Sequence, residues 1–308
     1  MAKKRFFLLF LFLLILFTSG CSPRQSQQVA GYIDLENLQP LEPIKQEVTP
    51  LRVAVASVVS PQGTVQSYEP LLKYLETKFN RPVELIQRRT YLETNELIAD
   101  GKVDLAFVCT SAYIEGINNS EMELLVAPQV NGETVYYSLL IVPADSSAQS
   151  MADLQHKVFA FTDPISLSGR MYPTYLVQGL GFSPENFFSK TFFTYNHDEA
   201  IRAVANKLAD GAAVDSLVYE YAIARDPSLA KKVRVIHRSP PFGIPPVVVS
   251  LKLDPNLKQE LQKVLLSMHD SAEGRIALKS IGVDKFVILD DHAYDDIRVL
   301  LSDVEKIK

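Results

Sequence analysis

Two runs of alternating strand and helix patterns constrain this chain's fold more than any other feature, one starting at Leu51 and the other restarting after about residue 150. In the first, "LRVAVASV" reads as a strand. "TVQSYEPLLKYLETKF" reads as an amphipathic helix with Tyr68, Leu71, Leu72, Leu75 and Phe79 on one side, and "PVELIQ" as a second strand. A helix across "LETNELIAD", a strand across "VDLAFV" and a helix starting near Thr110 continue the run. The second run reads as strand "KVFAF", helix Ser168 to Gly179, strand "TFFTY", helix "DEAIRAVANKLAD", strand "GAAVD", helix "SLVYEYAIA" and strand "VRVIH". Such alternation predicts mostly parallel sheets flanked by helices. Extended apolar stretches at "TVYYSLLIVP" and "SPPFGIPPVVVSL" join the runs, and helical patterns follow to the C-terminus. The expected architecture is α/β with two lobes: residues 51–138 plus 245–308, and residues 139–244. Crossings near 137–142 and 238–247 would let an interlobe cleft open and close. A single wider sheet is the alternative, disfavoured by the restart.

Ahead of Leu51 the composition changes. "MAKKRFFLLFLFLLILFTSGC" has a basic start, an apolar run from Phe6 to Phe17 and small residues before Cys21, the layout of a secretory signal. The run is shorter than the roughly 20 residues a comfortable membrane span needs. Thr18-Ser19-Gly20-Cys21 resembles the lipobox of bacterial lipoproteins, which implies a signal peptide over 1–20 and a lipidated Cys21. An uncleaved anchor is the alternative. Both readings place the chain outside the cytoplasm and tethered to a membrane; the lipoprotein reading has it lipid-anchored to the cell membrane or outer membrane and facing the periplasm or exterior. Residues 21–50 are rich in Gln, Pro and Glu without sustained periodicity and read as a flexible tether.

Of the two cysteines, Cys109 lies in an apolar run and is expected to be a buried, unreactive thiol. No disulfide framework, metal cluster or cofactor motif can be built from this inventory, and a body of about 260 residues is long enough to hold its fold by its own core. The formal charge of −5 becomes −8 when Lys3, Lys4 and Arg5 leave with the leader. With no basic stripe, nucleic acid is excluded as the expected partner. An anionic ligand would have to be attracted by local geometry.

Strand-to-helix turns can supply that geometry, because the first backbone N–H groups of a helix lack intrahelical partners and sit at the positive end of its dipole. Three such turns are built from small hydroxyl residues: "SVVSPQGT" with Ser60, "CTSAY" with Thr110 and Ser111, and "DPISLSG" with Ser166, Ser168 and Gly169. Hydroxyls donate and accept, which suits an oxyanion. Each turn taken alone also reads as an ordinary helix cap. Asp215 closes the strand "GAAVD", at the end where α/β ligands gather, and reads either as a cleft residue or as a cap of the next helix.

In order and spacing, "ASVVSPQGTVQSYEPLLKYLETKFNRPVELI", "IADGKVDLAFVCTSAYI", the Asp-Pro-x-Ser-x-Ser-Gly turn, "NHDEA" and "SPPFGIPPVVVS" resemble the phosphate/phosphite/phosphonate-binding proteins of bacterial ABC importers, from about Leu51 to Ile281. The resemblance implies a type II periplasmic binding fold and a monomeric substrate-binding lipoprotein that delivers a small phosphorus anion to an ABC permease. It also implies that Ser166, Ser168 and the Gly169 amide grip the anion. Leu167 stands where many relatives have threonine, leaving its backbone amide as the donor. His197 matches the family's site histidine, as an imidazolium or as a neutral donor, and Tyr91 and Tyr137 match its cleft tyrosines. The same fold also serves sensory subunits that signal to a histidine kinase, and binders of other small ligands. A hydrolase built on Ser166 or Ser168, His197 and Asp215 lacks the G-x-S-x-G elbow. The chain is therefore expected not to be an enzyme.

Overall fold

The computed structural model describes residues 49–119 and 121–306. The signal peptide, Cys21 and nearly all of the tether lie outside the described residues.

Strands β1 (Leu51–Val55), β2 (Val83–Ile86) and β3 (Leu105–Phe107) form the parallel half of a six-stranded sheet. Helix α1 (Pro61–Phe79) connects β1 to β2, and α2 (Tyr91–Ala99) connects β2 to β3. Proline at its first position starts α1 three residues ahead of the predicted Thr64, since proline's fixed φ suits the first helical turn and its missing N–H costs nothing there. Asn80 in the left-handed region ends it. A capping box fixes the start of α2: the Thr90 side chain accepts from the Glu93 amide while Glu93 reaches back to the Thr90 amide. Helix α3 (Thr110–Asn118) follows β3 and leads into β4 (Met122–Gln129).

The chain then crosses to a second sheet through β5 (Val135–Tyr136) and β6 (Ser138–Pro143). There β7 (Val158–Phe161), β8 (Lys190–Phe193) and β9 (Gly211–Asp215) are parallel, in the order β8-β7-β9. Between them run α4 (Tyr172–Gly179), a helical turn at Pro184–Phe187 and α5 (His197–Ala205). Helix α6 (Ser216–Arg225) and β10 (Val233–Arg238) complete the lobe. The return passes through β11 (Phe242–Gly243), paired with β5, and β12 (Val247–Ser250). Helices α7 (Pro255–Leu266) and α8 (Ala272–Ser280), strand β13 (Lys285–Val287) and helix α9 (Asp295–Lys306) follow.

The parallel character predicted from alternation holds for β1–β3 and β7–β9. The strands nearest the crossings run the other way: β6 is antiparallel to β9 and β10, and β12 is antiparallel to β3 and β4. A segment that enters a sheet from the opposite lobe arrives without a crossover helix, so nothing forces it parallel.

The β5–β11 ribbon pairs the outgoing and returning crossings, with Tyr136 opposite Phe242 and Val135 opposite Gly243. Gly243 is required there, because a Cβ would come 2.7 Å from the Ala293 carbonyl oxygen and 2.9 Å from the Tyr294 ring. Separate apolar clusters fill the lobes: Leu51, Leu75, Leu261 and Phe286 belong to one in the first, and Ile141, Ile201 and Val214 to one in the second. Among the described residues no helix is long and apolar enough to cross a membrane.

Candidate functional site

The turn after β7 folds as a single wide π turn, Leu167–Met171, ahead of α4. Ser166 organises it: its carbonyl accepts from the amides of Arg170 and Met171 (3.0 and 2.9 Å) and its hydroxyl accepts from the Gly169 amide (3.1 Å). Gly169 permits this path, since a Cβ would sit 1.8 Å from Thr162 Oγ1. Ser166 and Ser168 are buried, and Ser138 Oγ donates to the Ser168 carbonyl (2.7 Å). Leu167 is also buried, in an apolar cluster with Tyr113, Tyr136, Tyr172 and Phe242, while its amide faces the Cys109 sulfur.

The hydroxyls of Ser168, Tyr91, Tyr136 and Thr162 are buried, and no protein group hydrogen-bonds them. Such groups are uncommon in native interiors, and each costs about 1–3 kcal/mol when left unpaired. Three of the four share neighbours. Tyr136 Oη lies alongside Thr110 and Ser168 without closing a hydrogen bond to either, and Tyr91 lies near Cys109, Asp163, Tyr136 and Asp215. Burial holds both tyrosines in their neutral, donating form.

The N-terminus of α3 brings the first lobe to this cluster. Cys109 precedes it, and the Ser111 amide, like that of Leu167, faces its sulfur. Thr110 Oγ1 donates to the Gly243 carbonyl (2.9 Å), and Ser111 Oγ donates to the Ile165 carbonyl in the opposite lobe. Further bonds close the lobes on each other. The Tyr91 amide donates to Asp163 Oδ2 (3.0 Å), the Ser60 amide and hydroxyl donate to Asp198 (2.8 and 2.6 Å), and the His197 amide donates to the Val58 carbonyl (2.9 Å).

His197 opens α5 and is buried. Its Nδ1 accepts from the Asp215 amide (3.0 Å), so the ring's proton lies on Nε2. Burial drives its pKa down to about 3. Of the two forms considered from sequence, the imidazolium is therefore excluded, and a neutral ring with one donor remains. Asp215 Oδ1 accepts from the Leu217 and Val218 amides (2.7 and 3.4 Å), which caps α6. Burial nevertheless raises its carboxyl from 3.8 to about 7. Asp215 is thus both a cap and a cluster residue.

Ser166, Leu167, Ser168, Gly169, Tyr91, Thr110, Ser111, His197 and Asp215 converge where the lobes meet. Two residues singled out from sequence do not. Tyr137 is half-buried, with the Arg238 guanidinium 3.5 Å over its ring, because neighbours on an extended chain face opposite ways and it is Tyr136 that turns inward. Ser60 spends its amide and hydroxyl on Asp198 and acts as an interlobe tie. Residues not singled out from sequence are Tyr136, Thr162, Asp163 and Asp198; the Asp-Pro step and the Tyr-Tyr alternation were the available signals. Nearby arginines are engaged elsewhere: Arg89 lies 4.0 Å over Tyr195, and Arg170 lies 4.2 Å over Phe161 and 3.6 Å from Glu185. Among the described residues, no group of three or more His, Cys, Asp or Glu side chains could hold a metal ion.

Two mixed sheets joined by paired crossing strands, with buried donors gathered between them, define the type II periplasmic binding-protein class. Residues 53–294 match the family of phosphonate periplasmic substrate-binding proteins of ABC transporters, and the chain belongs to that family. The phosphate-import protein PhnD of Mycolicibacterium smegmatis is 32% identical over 163 residues, 49% of this chain and 51% of that protein. The chain thus spans about half the length of that relative. The phosphonates-binding periplasmic protein of Escherichia coli is 25% identical over 255 residues, 81% of this chain and 75% of that one. Among solved structures, a binding-protein component of an ABC phosphonate transporter from Pseudomonas aeruginosa superposes with a TM-score of 0.79 at 25% identity, covering 84% of this chain and 87% of that one.

Proposed function

We propose that this chain captures a phosphorus oxyanion, whether phosphate, phosphite or a phosphonate, between its lobes and delivers it to an ABC permease. The observation that carries the reading is the set of buried hydroxyls on Ser168, Tyr91 and Tyr136 with no protein partner. An oxyanion supplies the acceptors they lack. His197 Nε2–H adds a donor and the start of α3 adds its dipole, whereas the Gly169 and Leu167 amides, expected from sequence to grip the anion, are turned to Ser166 Oγ and the Cys109 sulfur. No cationic side chain is needed, which fits a chain of negative net charge. Each charge-assisted bond is worth roughly 1.5–3 kcal/mol, so a handful reaches the about 8 kcal/mol of micromolar binding after ordering costs. Asp215 near the anion is tolerable because it keeps much of its proton near neutral pH.

Because donors come from both lobes, the ligand completes its shell only when they close, and the closed surface is what the permease reads. The lobes divide as 51–138 plus 245–308 against 139–244 in this reading. Cys21 carries a lipid that keeps the body at the membrane, and the chain works as a monomer without catalysis. The test is ligand-induced stabilisation in Ser168→Ala/His197→Ala: an anion at a hundred times its Kd adds about 2.7 kcal/mol to the wild type and nothing to the double variant. Undiminished binding by a folded double variant overturns the site.

A further inference from the structure

Beside the hydroxyl cluster lies a cleft of about 520 Å³. Three of its lining residues adjoin the cluster. Ala56 packs against Tyr91 and Cys109, Val108 immediately precedes Cys109, and Asp215 interacts electrostatically with Tyr91 and Tyr136. Both lobes wall it. Tyr68, Phe107 and Phe286 form one side, with ring centroids of 5.1 Å between Tyr68 and Phe107 and 6.2 Å between Phe107 and Phe286. Val130 and Ile244 continue that apolar wall, and Leu217 faces it from α6. The charged lining residues other than Asp215, namely Glu220, Arg225 and Lys279, are exposed.

Phosphate or methylphosphonate seated on the hydroxyls leaves this space unused. Its hydroxyls are already paired, Ser67 with Tyr221 (2.5 Å) and Thr64 with the Val59 carbonyl (3.2 Å), so an ordered water, which needs two to four polar partners, gains little there. The volume falls within the roughly 300–1,000 Å³ range of sites that enclose organic ligands. We propose that this cleft takes an apolar substituent carried on the ligand's phosphorus, making the preferred ligands alkyl- or arylphosphonates of several carbons. The inference rests on the phosphorus-oxyanion reading above and adds its ligand class.

The experiment is titration calorimetry on the full chain held in lipid nanodiscs, with inorganic phosphate, methylphosphonate, propylphosphonate, hexylphosphonate and phenylphosphonate as probes. Affinity is expected to rise roughly three- to fourfold per added methylene until the cleft is full, with phenylphosphonate tighter than methylphosphonate. Val130→Trp, which fills the cleft from a half-buried position, should abolish the hexyl advantage while methylphosphonate stays within about twofold of wild type. Ala224→Trp, from an exposed position lining the same cleft, repeats the test if Val130→Trp does not fold. Equal or falling affinity along the series, with methylphosphonate still bound, overturns the cleft assignment and leaves the anion site standing. A hexyl advantage that survives both tryptophans also overturns it. Failure of all five probes to bind overturns the anion reading and the cleft assignment with it.

Discussion

Asp215→Asn should change the pH dependence of stability in a way that exposes an opposition between two buried groups. Burial raises the Asp215 carboxyl from 3.8 to about 7. Between those values the folded chain holds a proton that the unfolded chain has lost, so this group lowers stability as pH rises. The penalty approaches about 4 kcal/mol above pH 7. His197 acts in the opposite sense. Its folded value of about 3 lies below the ordinary 6.5, so the unfolded chain binds the proton first and stability falls as pH drops from 6.5 toward 3. From about pH 4 to 6.5 these two slopes offset each other, so together they add little to the wild type's pH profile. Asn keeps the oxygen that caps α6 and removes one slope. The variant should then gain about 3 kcal/mol between pH 4 and 6.5 and exceed wild type at pH 8. His197→Asn should lose stability over the same range. Urea unfolding at half-unit pH intervals, followed by far-UV circular dichroism because the chain has no tryptophan, measures all three. A superimposable pH profile for Asp215→Asn and wild type would mean that burial does not raise the Asp215 carboxyl.

Gly169→Ala should destabilise by about 3 kcal/mol or more, since its Cβ meets Thr162 Oγ1 at 1.8 Å; adding Thr162→Gly should restore much of the loss in thermal melts. Leu167→Thr inserts a hydroxyl into an apolar cluster; it should cost about 2 kcal/mol without tightening anion binding, and calorimetry showing tighter binding would contradict the packing role. Tyr136→Phe should weaken anion binding tenfold or more, about 1.4 kcal/mol, while Tyr137→Phe leaves it unchanged; the reverse order in paired titrations would restore Tyr137 to the site.

The elements that hold the cluster were legible because their cues are local. Short apolar strands such as "GAAVD" are set by cues within a few residues. The Ser166 turn was visible for the same reason, although its π geometry depends on Gly169 passing Thr162. What escaped depends on contacts far apart in the chain. "MELLVAPQ" becomes strand β4 because β12 and β13 arrive from distant sequence to pair with it. Tyr136 rather than Tyr137 faces inward because β5 pairs with β11, which fixes the face by a single residue. The neutral state of His197 follows from burial and from the Asp215 amide, neither of which is written near position 197.

Titration calorimetry of the wild type with phosphate, phosphite, methylphosphonate, aminoethylphosphonate and sulfate, after unfolding and refolding to strip carried-over ligand, tests the central claim most directly. At least one phosphorus compound should bind at micromolar or tighter Kd, and that binding should be lost in Ser168→Ala/His197→Ala. Binding of sulfate alone, or heats for a phosphorus compound that persist unchanged in the double variant, would contradict it.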